Sequence, residues 1–424
     1  MFARRPGSGR MNRRGIGSDG GSSTPGAVLL TRVIETFDSD GTFTTPATVY
    51  SPTSGDAGKV WGMCWGGGAG GTVDAGSGGG AAFSAGEFTP GAAETVTVST
   101  GGSVGADGGD TSIGVAVVAK GGLAAASGST GGTAAASTGT IKFSGGNGTV
   151  GTGTRFGGGG AGDRAAASGS AGGAETGGPQ PAGIYGGGGS SFAASASSGG
   201  RGVARIIYDV PATPGFPRIV ASSFGRSAAD GTSLAAHMPC NPDGTAIDFT
   251  GLTLVMLVAS DSNPTVGESS GDWTALTPVS NSTINTLAAF YIVGASGSET
   301  ATITTTTSQQ VSYWILAIAN GGAPEWSTAS GLSVNPDPPS LTYSGGSMKG
   351  LWVVALGVDS SAYQDVSAFP VDFSNKALVT AASAGGSSLA VCTRLFEDSV
   401  LDPGAMTMTA NSNFAVGTLV VPPL

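Results

Sequence analysis

Large apolar and β-branched residues fall in short clusters, separated by Gly, Pro, Asn, Asp and Ser. Val28–Phe37 is rich in β-formers and predicts a first strand. Asp38-Ser39-Asp40-Gly41 then predicts a turn, and Thr42–Pro46 starts the return strand. Lys59–Trp65 alternates large and small residues as a strand does. Further strands are expected at Ala81–Phe88, Thr95–Ser99, Ser112–Lys120 and Val203–Tyr208. Pro211–Pro217, with three prolines in seven residues, reads as a linker.

Residues 218–424 alternate short strand runs with turn residues, the pattern of a β-sandwich. Leu252–Val258 and Val311–Ile318, apolar but for Thr253 and Ser312, read as runs buried on both sides and predict central strands. A weak internal repeat runs through this part. Leu254–Ser262 parallels Trp352–Ser360 at an offset of 98, Asp272-Trp273 parallels Asp372-Phe373 at 100, and Leu287–Phe290 parallels Leu389–Cys392 at 102. Two related halves are implied. They suit either two immunoglobulin-like sandwiches or one jelly-roll-like sandwich, and the four or five strands visible per half favour one.

Between Trp61 and Gly202 roughly a third of the positions are Gly, and Ala, Ser and Thr fill most of the rest. Such a segment offers little apolar area against the backbone entropy of ordering. It is either disordered or ordered by main-chain packing in which the missing Cβ is the point. An extended three-residue helix points its N–H and C=O groups outward, where neighbouring helices can pair with them. The second reading is favoured. No Gly-X-Y repeat is present, which argues against a collagen stem.

Glu35-Thr36-Phe37, Gly41–Pro46, Trp61 to Gly68, Glu94–Val98, the long Gly tract and Gly202–Tyr208 follow one another in an order that resembles the glycine-rich domain of phage tail-fibre and tail-tip proteins. The resemblance covers about residues 33–209. It implies a small β-scaffold whose glycine loops project from one end and pack as polyglycine helices. Ala124–Ala126 and Ala134–Ala136 would crowd such packing, which argues against a complete lattice. Residues 218–424 resemble, more loosely, the β-sandwich modules of phage fibres. The fold class expected is therefore all-β, a glycine-rich β-scaffold (28–210) followed by a β-sandwich, jelly-roll or immunoglobulin-like (218–424).

Charge adds an orientation. Residues 1–32 hold Arg4, Arg5, Arg10, Arg13, Arg14 and Arg32 against Asp19, about +5, while residues 213–424 carry about −10. A basic, Gly- and Pro-interrupted arm (1–27) on an acidic body suggests anchoring on other virion proteins through Arg4, Arg5, Arg10, Arg13 and Arg14. An acidic body argues against nucleic-acid binding. No apolar run approaches the ~20 residues of a membrane helix, and no signal peptide is evident. Cys64, Cys240 and Cys392 share no CxxC spacing and read as free, buried thiols, which fits assembly in a reducing host cytoplasm.

Candidate chemistry is thin. His237 is the only histidine and has no acid nearby in sequence. Asp38 and Asp40 alternate as calcium ligands can, without the rest of a loop signature. Glu397-Asp398 is the one evident acidic pair for glycoside hydrolysis. The Gly runs lack the Lys-Ser/Thr of a phosphate loop. No cofactor, metal or catalytic residue is expected. Phe156, Tyr185 and Phe192, aromatics within the Gly tract, are the candidates for contact with a host receptor, possibly a glycan. The function expected is that of a phage virion adhesin, a tail-fibre or tail-tip homotrimer. The alternatives are a capsid head fibre or decoration protein, a surface-glycan depolymerase and a bacterial surface protein.

Overall fold

A computed structural model describes residues 29–73, 76–124, 130–149, 188, 191–192, 195–227, 230–262, 264–281, 284–359, 366–379 and 387–424. The protein is all-β, and a single 3-10 turn at Ala134–Ala136 interrupts the strands among these residues. The strands group into three modules.

Module one comprises β1 (Leu30–Phe37), β2 (Gly41–Thr44), β3 (Val60–Trp65), β4 (Phe83–Phe88), β5 (Ala93–Thr97), β6 (Thr111–Ile113), β7 (Val117–Ala119), β8 (Ile141–Phe143), β9 (Ser191–Phe192), β10 (Ser195–Ala196) and β11 (Val203–Pro211). Module two comprises β12 (Arg218–Arg226), β13 (Gly231–Ala236), β14 (Thr253–Asp261), β15 (Val266–Glu268), β16 (Thr274–Ala275), β17 (Val279–Asn281), β18 (Asn285–Ile292), β19 (Ala301–Gln309) and β20 (Val311–Ala319). Module three comprises β21 (Glu325–Ser333), β22 (Leu341–Thr342), β23 (Met348–Asp359), β24 (Val366–Ala368), β25 (Ser374–Val379), β26 (Ser387–Asp398), β27 (Val400–Leu401), β28 (Thr407–Met408) and β29 (Ser412–Val421).

Each module is a nested set of hairpins rolled up. The first strand pairs with the last (β1·β11, β12·β20, β21·β29); the second pairs with a late strand in modules two and three (β13·β19, β22·β27) and in module one with β5, which follows the β3–β4 hairpin. A third pairs with its own return (β3·β4, β14·β18, β23·β26). Rolling brings the last strand beside the third, so the large sheets run β1-β11-β3-β4-β8, β12-β20-β14-β18-β16 and β21-β29-β23-β26-β25. That winding is jelly-roll, because an immunoglobulin sandwich would place first and last strands in different sheets.

Residues 218–424 therefore form two sandwiches, where the sequence favoured one. The expectation undercounted strands: β16, β22, β24, β27 and β28 are two or three residues long and carry no apolar alternation. The repeat itself is matched by the ladder. Ala259 lies opposite Leu287 and Gly357 opposite Leu389, which reproduces the offsets 98 and 102. Thr274 lies opposite Tyr291 and Ser374 opposite Thr393, which reproduces 100 and 102. Ser112–Lys120, expected as one strand, is the hairpin β6–β7, reversed at Gly114 (φ 51°) with Val115 exposed at its tip.

The three large sheets share a core. Ile34, Trp61 and Ile207 of module one join Leu257, Trp314 and Leu316 of module two and Val353, Leu389 and Leu419 of module three. The opposite faces pack on each module's own small strands, as with Phe43, Ile113 and Ile206, with Met256, Ile303 and Ile315, and with Trp352, Leu401 and Met408. Central strands such as β14 and β20 are thus buried on both faces, which is why Leu254–Ala259 and Tyr313–Ala319 within them lack polar alternation. Arg205 ties the modules together at one point. Its buried guanidinium lies 3.9 Å from the Phe224 ring centroid of module two and 5.4 Å from that of Trp65, and it donates to the Leu378 carbonyl of module three at 3.5 Å.

The modules are aligned. Leu29, the connection 212–217, Asn320 and Leu424 meet at one end, linked by Ala212 N–H to Leu29 O (2.8 Å), Arg218 to Leu30 O (3.3 Å) and Leu424 N–H to Asn320 O (3.3 Å). The glycine segments leave β3, β4 and β11 at the other, distal end. Truncating Trp314 to Ala should cost about 3–5 kcal/mol. Because its neighbours come from a shared core, hydrogen exchange should accelerate in β23 and β26 as well as in module two. Unchanged exchange in module three would show the cores to be independent.

Candidate functional surface at the glycine-rich end

Strands β3, β4 and β11 run without a break into glycine segments: Trp65 into Gly66, Ala82 into Phe83, and Gly202 into Val203. Beyond the sheet, the hydrogen bonds spread from a plane into three dimensions. Gly67 and Gly70 donate to Gly109 O and Ala106 O, each at 2.9 Å. Gly68 and Gly71 donate to Gly200 O (2.8 Å) and Ser197 O (2.9 Å). Ala69 and Thr72 donate to Gly79 O (3.0 Å) and Gly76 O (2.8 Å). Each partner recurs after three residues, and each partner segment steps back by three. Segment 66–72 is therefore a helix of three residues per turn, surrounded by antiparallel neighbours on three sides. The left-handed φ region is not used by Gly67, Gly68, Gly70 or Gly71, so the winding is that of polyproline II.

The carbonyls complete the packing. Gly68 O and Gly71 O accept from Gly102 (2.8 Å) and Gly105 (2.9 Å), and Gly67 O accepts from Gly122 (2.9 Å). Further out, the segments at Gly80, Gly132 and Gly145-Gly146 bond one another in turn: Gly80 N–H to Gly146 O, Gly132 N–H to Gly80 O, and Gly145 N–H to Gly132 O, at 2.8–2.9 Å. This is polyglycine packing, and it requires glycine for space rather than for φ. A Cβ placed on Gly70, Gly78, Gly101, Gly108, Gly145 or Gly199 would meet a neighbouring main-chain carbonyl closer than 3.0 Å. Where a segment ends, side-chain oxygens take over: Asp107 accepts from Ala124 N–H (2.6 Å), Asp110 from Gly121 N–H (3.0 Å) and Asn147 from Gly131 N–H (2.9 Å). Ala134–Ala136, expected to crowd the lattice, instead forms a 3-10 turn between the glycine segment ending at Gly132 and strand β8, with none of the three buried.

At the lattice the apolar side chains Val73, Val104 and Leu123 are each about half exposed, at 40%, 48% and 46%. Gly105 N–H donates to Gly71 O, which brings the Val104 and Val73 segments together. Of the expected contact residues, Phe156 and Tyr185 lie outside the described residues, as do Arg4, Arg5, Arg10, Arg13 and Arg14. Phe192 is described through its backbone, in a two-residue pairing of β9 with β10.

The other candidates have structural uses. Asp38 pairs with Arg201 at 3.6 Å, and Asp40 accepts the Val98 N–H at 2.8 Å. His237 is exposed and is held by its main chain, donating to the Tyr313 hydroxyl at 2.8 Å and accepting from Ser223. Cys64 and Cys392 are buried and their thiols are pushed up by burial; Cys240 is only partly covered, a departure from expectation. Glu87, which burial alone would raise, is held at about 2 by Ser51, Ser54, Lys59 and Thr53. Among the described residues no three His, Cys, Asp or Glu side chains group as a metal site, and no helix is long and apolar enough to cross a membrane.

One cluster escaped the sequence reading. Asp261 and Asp359, the residues that end β14 and β23, come together at the distal rim between modules two and three. Burial pushes the Asp261 carboxyl up to about 6, against the Ser262 N–H, and the negative Asp359 and Asp230 push it the same way. The signal was available, since both repeat units end on Asp-Ser.

Compared with known proteins, the chain matches no family model, and no curated protein matches it.

Replacing Gly108 by Ala should cost about 1–3 kcal/mol, because the new methyl meets the Gly67 and Gly68 main chain. Gly91→Ala, where a Cβ would make only ordinary contact with Glu94 and Ala93, should be within about 0.5 kcal/mol of wild type. Equal denaturation midpoints for the two variants would contradict the packing described.

Proposed function

We propose that this chain is a phage virion adhesin, part of a tail fibre or tail tip, that projects the glycine lattice toward the host surface. The observation that carries the reading is the three-residue hydrogen-bond period of segment 66–72, which makes the described glycine segments a rigid body with little side-chain covering. A surface built from main chain tolerates sequence change at its tips without refolding, which suits a part that must follow a varying receptor. Val73, Val104 and Leu123 are the contact residues on this reading, together with the aromatics Phe156, Tyr185 and Phe192.

The position of Leu29 supports the same orientation. Leu29 lies at the end opposite the lattice, and on this reading the basic residues that precede it in sequence, Arg4, Arg5, Arg10, Arg13 and Arg14, bind acidic virion proteins. The assembly proposed is a homotrimer, located in the virion and formed in the host cytoplasm. A head fibre would share the arm and the body but have no need of receptor contact.

The test separates anchoring from contact. Deleting residues 1–28 should abolish incorporation into particles. Val73→Asp with Val104→Asp should leave particle assembly intact and reduce adsorption to the host by at least about tenfold, a loss of ~1.4 kcal/mol of binding. Assembled particles that adsorb normally with both valines changed would overturn the adhesin reading in favour of a head decoration.

A further inference from the structure

We infer that the distal rim between modules two and three binds a divalent cation of the calcium class, with Asp261, Asp359, Asn285 and Ser387 supplying oxygen. The inference is independent of the adhesin reading.

The four residues share one face by register. Ala259 and Leu287 lie in the shared core, and side chains two residues along a strand return to the same face. Asp261 is two residues beyond Ala259, and its cross-strand partner is Asn285, two residues before Leu287. In module three, Gly357 approaches Ala259 across the interface; Asp359 lies two residues beyond it, opposite Ser387, which is two residues before Leu389 of the shared core. The two sets are repeat equivalents, a carboxylate and a neutral oxygen from each module, facing one another. Two hydrogen bonds fix the approach. Asn285 donates through Nδ2 to Gly357 O at 2.9 Å, and Ser312 donates to Ser387 O at 2.7 Å.

Two buried oxygens at this rim have no partner. Asn285 is fully buried, its nitrogen is committed to Gly357, and its Oδ1 accepts nothing. Ser387 is 1% exposed and its Oγ is likewise unpaired. An orphaned buried acceptor costs about 1–3 kcal/mol, and here two of them flank two carboxylates of like charge. A hard cation satisfies all four at once. The donor set is entirely oxygen, with no His or Cys, which selects calcium over zinc or copper. Two carboxylates with two neutral ligands place the affinity in the weak class of extracellular modules, on the order of 10⁻⁴ M.

The test uses the full chain stripped with chelator. Calcium should raise the melting temperature in a saturable manner, and terbium should bind with luminescence sensitised by Trp314, two residues from Ser312 on the same strand. Asp261→Asn with Asp359→Asn should melt in chelator at or above the wild-type temperature, because the charge repulsion is gone, and should show neither response. Magnesium should act at least about tenfold more weakly, since it demands a tighter octahedral shell. A wild-type chain indifferent to calcium, a double variant that retains the shift, or an equal response to magnesium would each overturn the assignment.

Discussion

A backbone amide buried away from water must find a partner, and in this protein the distal end meets that requirement with main chain alone. Three-residue helices present N–H and C=O groups on every side, so each segment can bond several neighbours at once. The condition is close approach, and a Cβ at Gly108 or Gly199 would occupy the space of the neighbour's carbonyl. Little apolar area is available to order these segments, so the hydrogen bonds and the close contact of main chain must do it. They also need a template that starts the segments in register. Strands β3, β4 and β11 supply it: Gly66 N–H still bonds Ala82 O and Gly68 N–H bonds Gly200 O, as though the sheet continued for a few residues before opening into the lattice.

The template is rigid because it is one of three. Each large sheet spends one face on its own small strands and the other on a core common to all three modules. Trp61 and Ile207, beneath the lattice, belong to the same apolar cluster as Leu316 and Leu419 more than a hundred residues away in sequence. Arg205 repeats that arrangement in polar form, its guanidinium between an aromatic ring of module two and a carbonyl of module three. The two jelly rolls of residues 218–424 thus act as a base for the first, and the lattice stands on the combined body.

Much of this was legible in the residues. Continuous apolar runs marked β14 and β20 as buried on both faces, and Gly density pointed to main-chain packing. The drifting offset of the repeat was recovered pair by pair in the ladder. What was not legible has physical causes. Strands of two or three residues, such as β22 and β27, leave no alternation to read. The kinship of module one with the other two is invisible because its connections are the glycine segments, which share no apolar pattern with ordinary loops. Asp261 and Asp359 each looked like the end of a strand; only the face-to-face packing of two sheets makes them neighbours. Ala134–Ala136 shows the reverse case, where an apparent obstacle to the lattice lies outside it, in a turn leading to β8.

Native-state hydrogen exchange at the lattice amides bears most directly on whether bare main chain forms a solid here. Gly67, Gly68, Gly80, Gly102 and Gly132 should exchange as slowly as amides in the ladder of β3 with β11, since all are bonded to another segment. Exchange of those five at the rate of an open chain, with β3 and β11 still protected, would mean the segments are loose loops hung on a sandwich.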